Sequence, residues 1–453
     1  MSDQEFLNFM LNGCQKFRTT GKSKESWIIF KSTLEYLNLN LDNIKIPKGT
    51  SSDIIYKLLE EFTIFSYYIN QQDKGLLISD KLLFNYETNI KGINKDQLTR
   101  NQRFYMKPLH RKNRVKFNFK CEEYFSEMNP SIISNRSGYT VCLRTSNFGV
   151  RPEGEYYCRS PDNIVDTKNY ILELTKDFKV KSIIPIIDKS TCKQYSVRPI
   201  KGLEDLIIFE HQGDLYGSCT CVDTDPYGIP QIGLCKLDFS KDNHSIPSQQ
   251  EPGNSAVGRY RESDDPGHTA RYEINVKRPI KLLDPRRPEK NWLPFVHNDR
   301  IHFVYGYSPT QIRAPVGSIA DICKGNGIIE SELIISNDTD LSFDRFRGSA
   351  GPMLIEISNG QRGYLIVVHE VIFMGNSRIY THRFVLMDSS FKIIKISGPW
   401  FLEALQIEFI RGGCIKGNDI ILTAGIKDTE AWIYVLDKDT VLNSLIDVEE
   451  FKL

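Results

Sequence analysis

The sequence predicts a mainly β protein, a five-bladed β-propeller preceded by a small α-helical N-terminal domain. Three observations lead there. Five stretches share one grammar: an apolar approach, a polar turn, then a β-rich strand with a polar end. Their turn markers, Gly138, Gly213, Asp299, Gly363 and Gly417, fall 54 to 86 residues apart with no helical periodicity between them. Before about Leu109 the period is helical instead.

The clearest unit runs from Glu289 to Pro309. Trp292, Leu293, Pro294 and Phe295 form its approach, Asn298 and Asp299 supply turn chemistry, and Ile301, Phe303 and Tyr305 alternate at strand period. The other units begin at Asn129, Gly202, Phe346 and Phe409. Further alternating runs, IGLCKLDFS, THRFVLMDSSFKIIKIS and AWIYVLDKD, read as outer strands. Small antiparallel sheets repeated without helices favour radial closure around a central channel, which protects sheet edges. A two-sheet sandwich would not demand five similar units.

Composition bounds the rest. The chain has 453 residues, 40% hydrophobic and 25% charged, enough for two or three domains. Its 58 Lys and Arg nearly cancel its 57 Asp and Glu, so no global field draws it to nucleic acid or an anionic membrane. The opening MSDQEFLNFMLNGCQKF lacks signal-peptide character, and no run of about 18 apolar residues occurs, so the reading is cytoplasmic. Ten cysteines without CxxC spacing read as small buried hydrophobes; Cys219 and Cys221 share one face of a strand and read as packing. Asp223, Thr224 and Asp225 spell a DxD tripeptide, read as polar loop, and no metal site is expected.

Residues 1–109 form the expected helical domain. Ser51, Ser52 and Asp53 signal a start, and Ile54, Ile55, Leu58, Leu59, Phe62 and Phe65 fall on one face. Further helices are expected over Leu76 to Phe84 and around Asp96 to Met106. This array either docks a protein partner or props the β domain, and a chain beginning near Lys107 is expected to fold without it. The basic stretch KPLHRKNRVKFNFK, with Phe117 and Phe119, suits either a nucleic-acid backbone or a solvated strand with one apolar face, and the neutral remainder favours the strand. Residues 110–453 then form the propeller, interrupted by a polar insertion near 240–278 that would make a lid, with His268 and Arg271 in reach of a substrate.

In order, NPSI…LRTSNF, GLEDLIIF, EKNWLPF, FRGSAGP…LIVVHE and ILTAGIKD resemble the β-mannoside phosphorylases and related mannosyltransferases of glycoside hydrolase family 130. The resemblance spans roughly Asn129 to Asp437. It implies a sugar site in the axial funnel, with Asp205 of GLED as general acid beside Glu204. Leu206 and Ile207 stand where the phosphorylases have Pro and Arg, which removes a bidentate donor. It further implies that His369, Arg347 and Arg411 hold phosphate.

Strand starts and ends line a propeller's mouth, so Arg144, Asn147, Lys290, Asn291 and Asp428 are expected to converge there, while Tyr307 and Trp292 either stack on sugar faces or, as aromatics on a blade usually do, pack in the core. Asp205, Asn291, Arg347 and Arg411 in particular should line one funnel. Inverting transfer needs an acid on the leaving oxygen and a nucleophile on the opposite face; with phosphate or an activated donor as co-substrate, one protein carboxyl suffices. Asp205 is that carboxyl, or else a buried cap. Two functions stay open. One is an inverting glycosyltransferase or glycoside phosphorylase acting on mannose-like sugars, with no cofactor but with phosphate, a sugar phosphate or a sugar nucleotide as co-substrate. The other is a non-catalytic glycan-binding propeller with a helical docking arm.

Overall fold

The computed structural model describes residues 2–46, 52–85, 93–151, 154–190, 200–225, 227–241, 270–274, 278–281, 288–318, 322, 328–357 and 360–453. It opens with α1 (Asp3–Thr19), α2 (Ser23–Tyr36), α3 (Ser52–Phe65), α4 (Gln72–Phe84) and α5 (Lys95–Gln102). Helix α1 starts on a capping box in which Ser2 and Glu5 each accept the other's backbone N–H, satisfying two of the donors a helix start leaves open. In α3 the six apolar residues of the expected face are all buried. None of the helices is long and apolar enough to cross a membrane among the described residues.

Strands follow. After β1 (Lys107–Pro108) and β2 (Asn113–Lys116), the first sheet takes β3 (Ser126–Ser134) and β4 (Gly138–Ser146). A small hairpin of β5 (Phe148–Val150) and β6 (Tyr156–Cys158) intervenes before β7 (Val165–Thr175) and β8 (Val180–Asp188) complete it. Past β9 (Ile200–Lys201), the second group of strands runs β10 (Leu203–His211), β11 (Asp214–Cys221), β12 (Gln231–Lys241) and β13 (Ala270–Ile274), and β13 joins it to β8 in one nine-stranded sheet. The third comprises β14 (Arg278–Lys281), β15 (Leu293–His297), β16 (Arg300–Tyr307), β17 (Thr310–Pro315) and β18 (Ile328–Asn337). The fourth has β19 (Arg347–Glu356), β20 (Arg362–Met374), β21 (Ser377–Asp388), β22 (Ile393–Ser397) and β23 (Trp400–Phe401), and the fifth β24 (Glu408–Lys416), β25 (Asp419–Ile426) and β26 (Glu430–Asp437).

Each unit read from the sequence is the opening hairpin of one group of strands, the first two groups being continuous. The turns follow the chemistry: Gln212–Gly213 and Asn298–Asp299 all have positive φ, the two-residue geometry that matches strand twist. The opening strands β3, β10, β15, β19 and β24 pack against one another in sequence, and β24 returns to β3. Between them lies a cavity of about 180 Å³ touched by all five, through Ile133, Phe209, Phe295, Leu354 and Gly413. At the return contact Thr423 donates to the Pro130 carbonyl, and a Cβ on Gly425 would lie 2.1 Å from Asn129 Oδ1, so the close approach of the two sheets there needs a glycine.

Three expectations change. The run Glu430–Asp437 is the third strand of its sheet, and the edge is taken by β2, which pairs with it from Asn113↔Val435 to Lys116↔Trp432. The basic stretch is thus a solvated strand as expected, its Lys116 ion-paired with Glu430 at 2.7 Å. The insertion at 240–278 is not wholly loop: β13 pairs antiparallel with β12 and parallel with β8, because Ala270–Ile274 alternates as a strand does. Residues 242–269, with His268, lie outside the described residues, and of Arg271 only the backbone, in β13, is described. Finally, the helices share their core with the sheets. Phe84 makes edge contacts with Phe343, Phe346 and Phe451 at 5.4–5.8 Å. Asp80 of α4 chelates Arg383 of β21 at 2.7 and 2.9 Å with both side chains buried.

Candidate functional site

One irregularity recurs at the same end of the opening strands. Register is lost between Met128 and Ser131 in β3, Glu204 and Ile207 in β10, Gly348 and Ala350 in β19, and Ile410 and Gly412 in β24. A β-bulge turns one side chain out of the sheet's alternation. The residues so released are Asn129, Asp205, Ser349 and Arg411. Asn129 and Asp205 sit at φ of 43° and 52°, a region that Asn and Asp enter more readily than other side chains; Asn291, just before β15, does the same at 65°.

Asp205 is the centre. Its Oδ1 accepts from Asn129 Nδ2 at 2.9 Å and from Arg144 Nη1 at 2.6 Å, while its carbonyl accepts Nε and Nη2 of Arg411 at 3.0 and 2.9 Å. Burial pushes its carboxyl up, but Arg144, Arg411 and Asn129 outweigh burial and hold it down to about 2. These neighbours favour the carboxylate form of Asp205 near neutral pH. Asp428 is the opposite case. It is 6% exposed, and burial, with Asp205 and Glu204 nearby, pushes it up to about 6 against the pull of Arg144 and Arg378.

The cluster is incompletely paired. Arg144 Nε, Arg411 Nη1, Asn129 Oδ1 and Tyr307 Oη are buried without a hydrogen-bond partner among the described residues. Arg347 and Arg411 both act on Tyr307 electrostatically, and Arg347 opens β19 as an exposed side chain whose Nη1 donates to the carbonyls of Asp344 and Phe346 at 2.6 and 2.9 Å. Glu204 is ion-paired to the half-exposed Lys290 at 3.2 Å, linking the second sheet to the third beside Asn291.

Other expected ligands are placed differently. His369 is buried, its Nδ1 shares a 2.9 Å hydrogen bond with Ser349 Oγ, and burial with His382 and Arg411 keeps it neutral, so it brings no positive charge to a phosphate. Asn147 is engaged in loop structure. Its Nδ2 donates to Ile164 O at 2.9 Å and its Oδ1 accepts Asp166 N at 2.7 Å, which consumes both ends of the amide in holding a loop. Trp292 is core, 1% exposed, with Nε1 donating to Glu289. Asp225 accepts two turn N–H groups and Asp223 accepts Gly202 N, so both belong to loop structure. Cys219 and Cys221 share a face as expected, Sγ to Sγ 3.6 Å, in a buried core.

Sequence reasoning missed Asn129, Ser349, Arg378 and Tyr156. Asn129 stood inside the NPSI motif but gave no chemical signal of its own. Arg378 reaches the site because its guanidinium lies 5.4 Å from the Tyr156 ring, joining the β20–β21 hairpin to the β5–β6 hairpin.

No protein-family profile and no curated protein matches the chain. Among solved structures it is similar to a β-1,2-mannobiose phosphorylase from Listeria innocua, with 11% identity and a TM-score of 0.41 over 73% of this chain and 99% of that one. It is also similar to a mannose phosphorylase from Leishmania mexicana, with 11% identity and a TM-score of 0.39 over 76% and 93% of the two chains. A GDP-Man-dependent mannosyltransferase from the same organism gives 12% identity and 0.40 over 72% and 89%.

Proposed function

We propose that the five sheets close as a five-bladed β-propeller and that the chain is a carbohydrate-active enzyme. Its reaction is inverting glycosyl transfer or phosphorolysis on mannose-like sugars, at the end of the axis where Asp205 stands. The observation that carries this reading is the half-paired buried cluster. Burying two guanidinium groups and two carboxyls is expensive, and a cluster kept only for stability would pair its donors. Here Arg144 Nε, Arg411 Nη1 and Tyr307 Oη are left without a partner among the described residues, in a cluster with one ionised and one protonatable carboxyl. That set suits a polyhydroxylated ring, whose hydroxyls accept from the first three and donate to the carboxylate. The exposed Arg347 at the rim is placed for a phosphate group of the co-substrate.

The test is thermal stabilisation by a β-mannobiose, mannose 1-phosphate and GDP-mannose, each against a glucose counterpart. A ligand at 100 times its Kd should add about 2.7 kcal/mol, and the gain should vanish in Arg411→Met. No stabilisation by any of them overturns the reading. A second reading, a non-catalytic glycan-binding module, is favoured by the ionised state of Asp205 and by Leu206 and Ile207 in place of Pro and Arg. It predicts the same stabilisation with no turnover.

A further inference from the structure

We propose that Tyr156 and Phe373 form a stacking wall beside the Asp205 site, and that this wall selects mannosides longer than a disaccharide. The inference deepens the reading above and rests on it. A series of contacts leads outward from Asp205. Arg144, whose Nη1 is 2.6 Å from Asp205 Oδ1, has its guanidinium 5.6 Å from the Phe148 ring; Phe148 is 5.5 Å from the Tyr156 ring, and Tyr156 is 5.4 Å from the guanidinium of Arg378. Exposure rises along it, from 4% at Arg144 to 46% at Tyr156, so the series begins in the buried cluster and ends in solvent.

Two hairpins hold this arrangement. In the first, Val150 pairs with Tyr156 and Phe148 with Cys158, so Phe148 and Tyr156 share one face while Gly149 and Tyr157 take the other. A Cβ on Gly149 would lie 2.8 Å from the Tyr157 ring, so the glycine lets that ring cover the back of the hairpin. In the second, Phe373 pairs directly with Arg378, which sets its ring, 59% exposed, on the face where Arg378 meets Tyr156. The hairpins touch at Gly154, φ 87°, where a Cβ would lie 2.2 Å from Asn376 O. They come from the first and fourth groups of strands, and the fifth lies between: Tyr380 N donates to Gln406 O, just before β24, at 3.0 Å.

Exposed aromatic surface that continues a polar buried site marks a ligand groove. A sugar ring carries C–H bonds on one face and hydroxyls around its rim. The face packs on a flat aromatic ring, and the rim accepts hydrogen bonds from a guanidinium set between two such rings. Tyr156, Arg378 and Phe373 offer that combination, outside the ring bound at Asp205, so they suit the following sugars of the same chain. Apart from Phe148, both hairpins lie beyond the stretches that carry the family resemblance, which makes the wall a property of this chain.

The test is calorimetric titration of the full chain with β-mannobiose, β-mannotriose and β-mannotetraose, for wild type, Tyr156→Ala, Tyr156→Phe and Phe373→Ala. In wild type the affinity should rise by about tenfold from the disaccharide to the longer chains. Tyr156→Ala should erase that rise and leave the Kd for mannobiose within about twofold of wild type, Tyr156→Phe should retain the rise, and Phe373→Ala should reduce it. Equal affinity for all three lengths in wild type, or a rise that persists in Tyr156→Ala, overturns the wall and leaves the reading above intact. A loss in Tyr156→Ala that is the same for every length, mannobiose included, also overturns it, because Tyr156 would then only prop Phe148 and Arg144. A wild-type chain that binds none of the mannosides overturns both.

Discussion

Two buried ionic clusters can be compared in this molecule, one between helix and sheet and one on the axis. In the first, Arg383 gives Nε to Glu370 at 2.6 Å, chelates Asp80 through Nη1 and Nη2, and donates to Ser397 O at 3.2 Å, while Gln102 supports Asp80 at 2.6 Å. No nitrogen of Arg383 is left over. In the second, Arg144 and Arg411 each keep a buried nitrogen without a partner. The same residue types thus serve two ends: a guanidinium with every nitrogen paired, as in Arg383, ties elements together, and one with a buried nitrogen to spare holds capacity for a ligand.

The largest effect that would sharpen this contrast comes from removing the helices. A chain beginning at Lys107 would lose Asp80 and Phe84, leaving Arg383 and the ring of Phe343, Phe346 and Phe451 uncovered, and it should fail to give a cooperative melting transition. A cooperative transition near that of the full chain would show that the first cluster holds nothing together. Next, Arg383→Met should cost about 3–5 kcal/mol in chemical denaturation, because two carboxyls stay buried without their cation. A loss below about 1 kcal/mol would make the saturated cluster no different from a surface pair.

Smaller is the acid limb of Asp205. Its folded pKa is depressed to about 2, so its contribution is complete above the unfolded value near 4 and is lost as pH falls from about 4 to 2. That contribution is about 2 kcal/mol, and Asp205→Asn should remove this segment of the stability profile. The smallest change is Tyr307→Phe. It deletes a buried hydroxyl that has no partner, so stability should move by less than about 1 kcal/mol or rise, while affinity for mannosides drops several-fold. A destabilisation of about 2 kcal/mol would mean that the hydroxyl is already bonded in the free protein.

The sequence disclosed the hairpins because each carried its own local evidence, an apolar strand, a turn pair such as Asn298 and Asp299, and a second strand. It disclosed Asp205 through its motif and placed Arg411 at the same end. The protonation of these groups was not legible. Whether Asp205 is acid or carboxylate depends on Arg144, 61 residues away in sequence, and on which carboxyl the bulges leave without a partner. Asn147 misled because an asparagine at a strand end looks the same whether its amide meets a sugar or a backbone. The shared core was hidden for a similar reason: Asp80 lies in a helix buried continuously from Ile78 to Phe84, and nothing near it in sequence announces an arginine 303 residues later.

Strand β2 has one more consequence, in time. It emerges during synthesis more than three hundred residues ahead of β26, the strand it must pair with, so the fifth sheet cannot be completed until the last one has been made. A growing chain therefore exposes the unpaired edge of β2 for most of its translation. Arg114 and Lys116 sit on that waiting strand with Lys112 just before it, and their charge is suited to keep it from pairing with a neighbouring chain before its partner arrives.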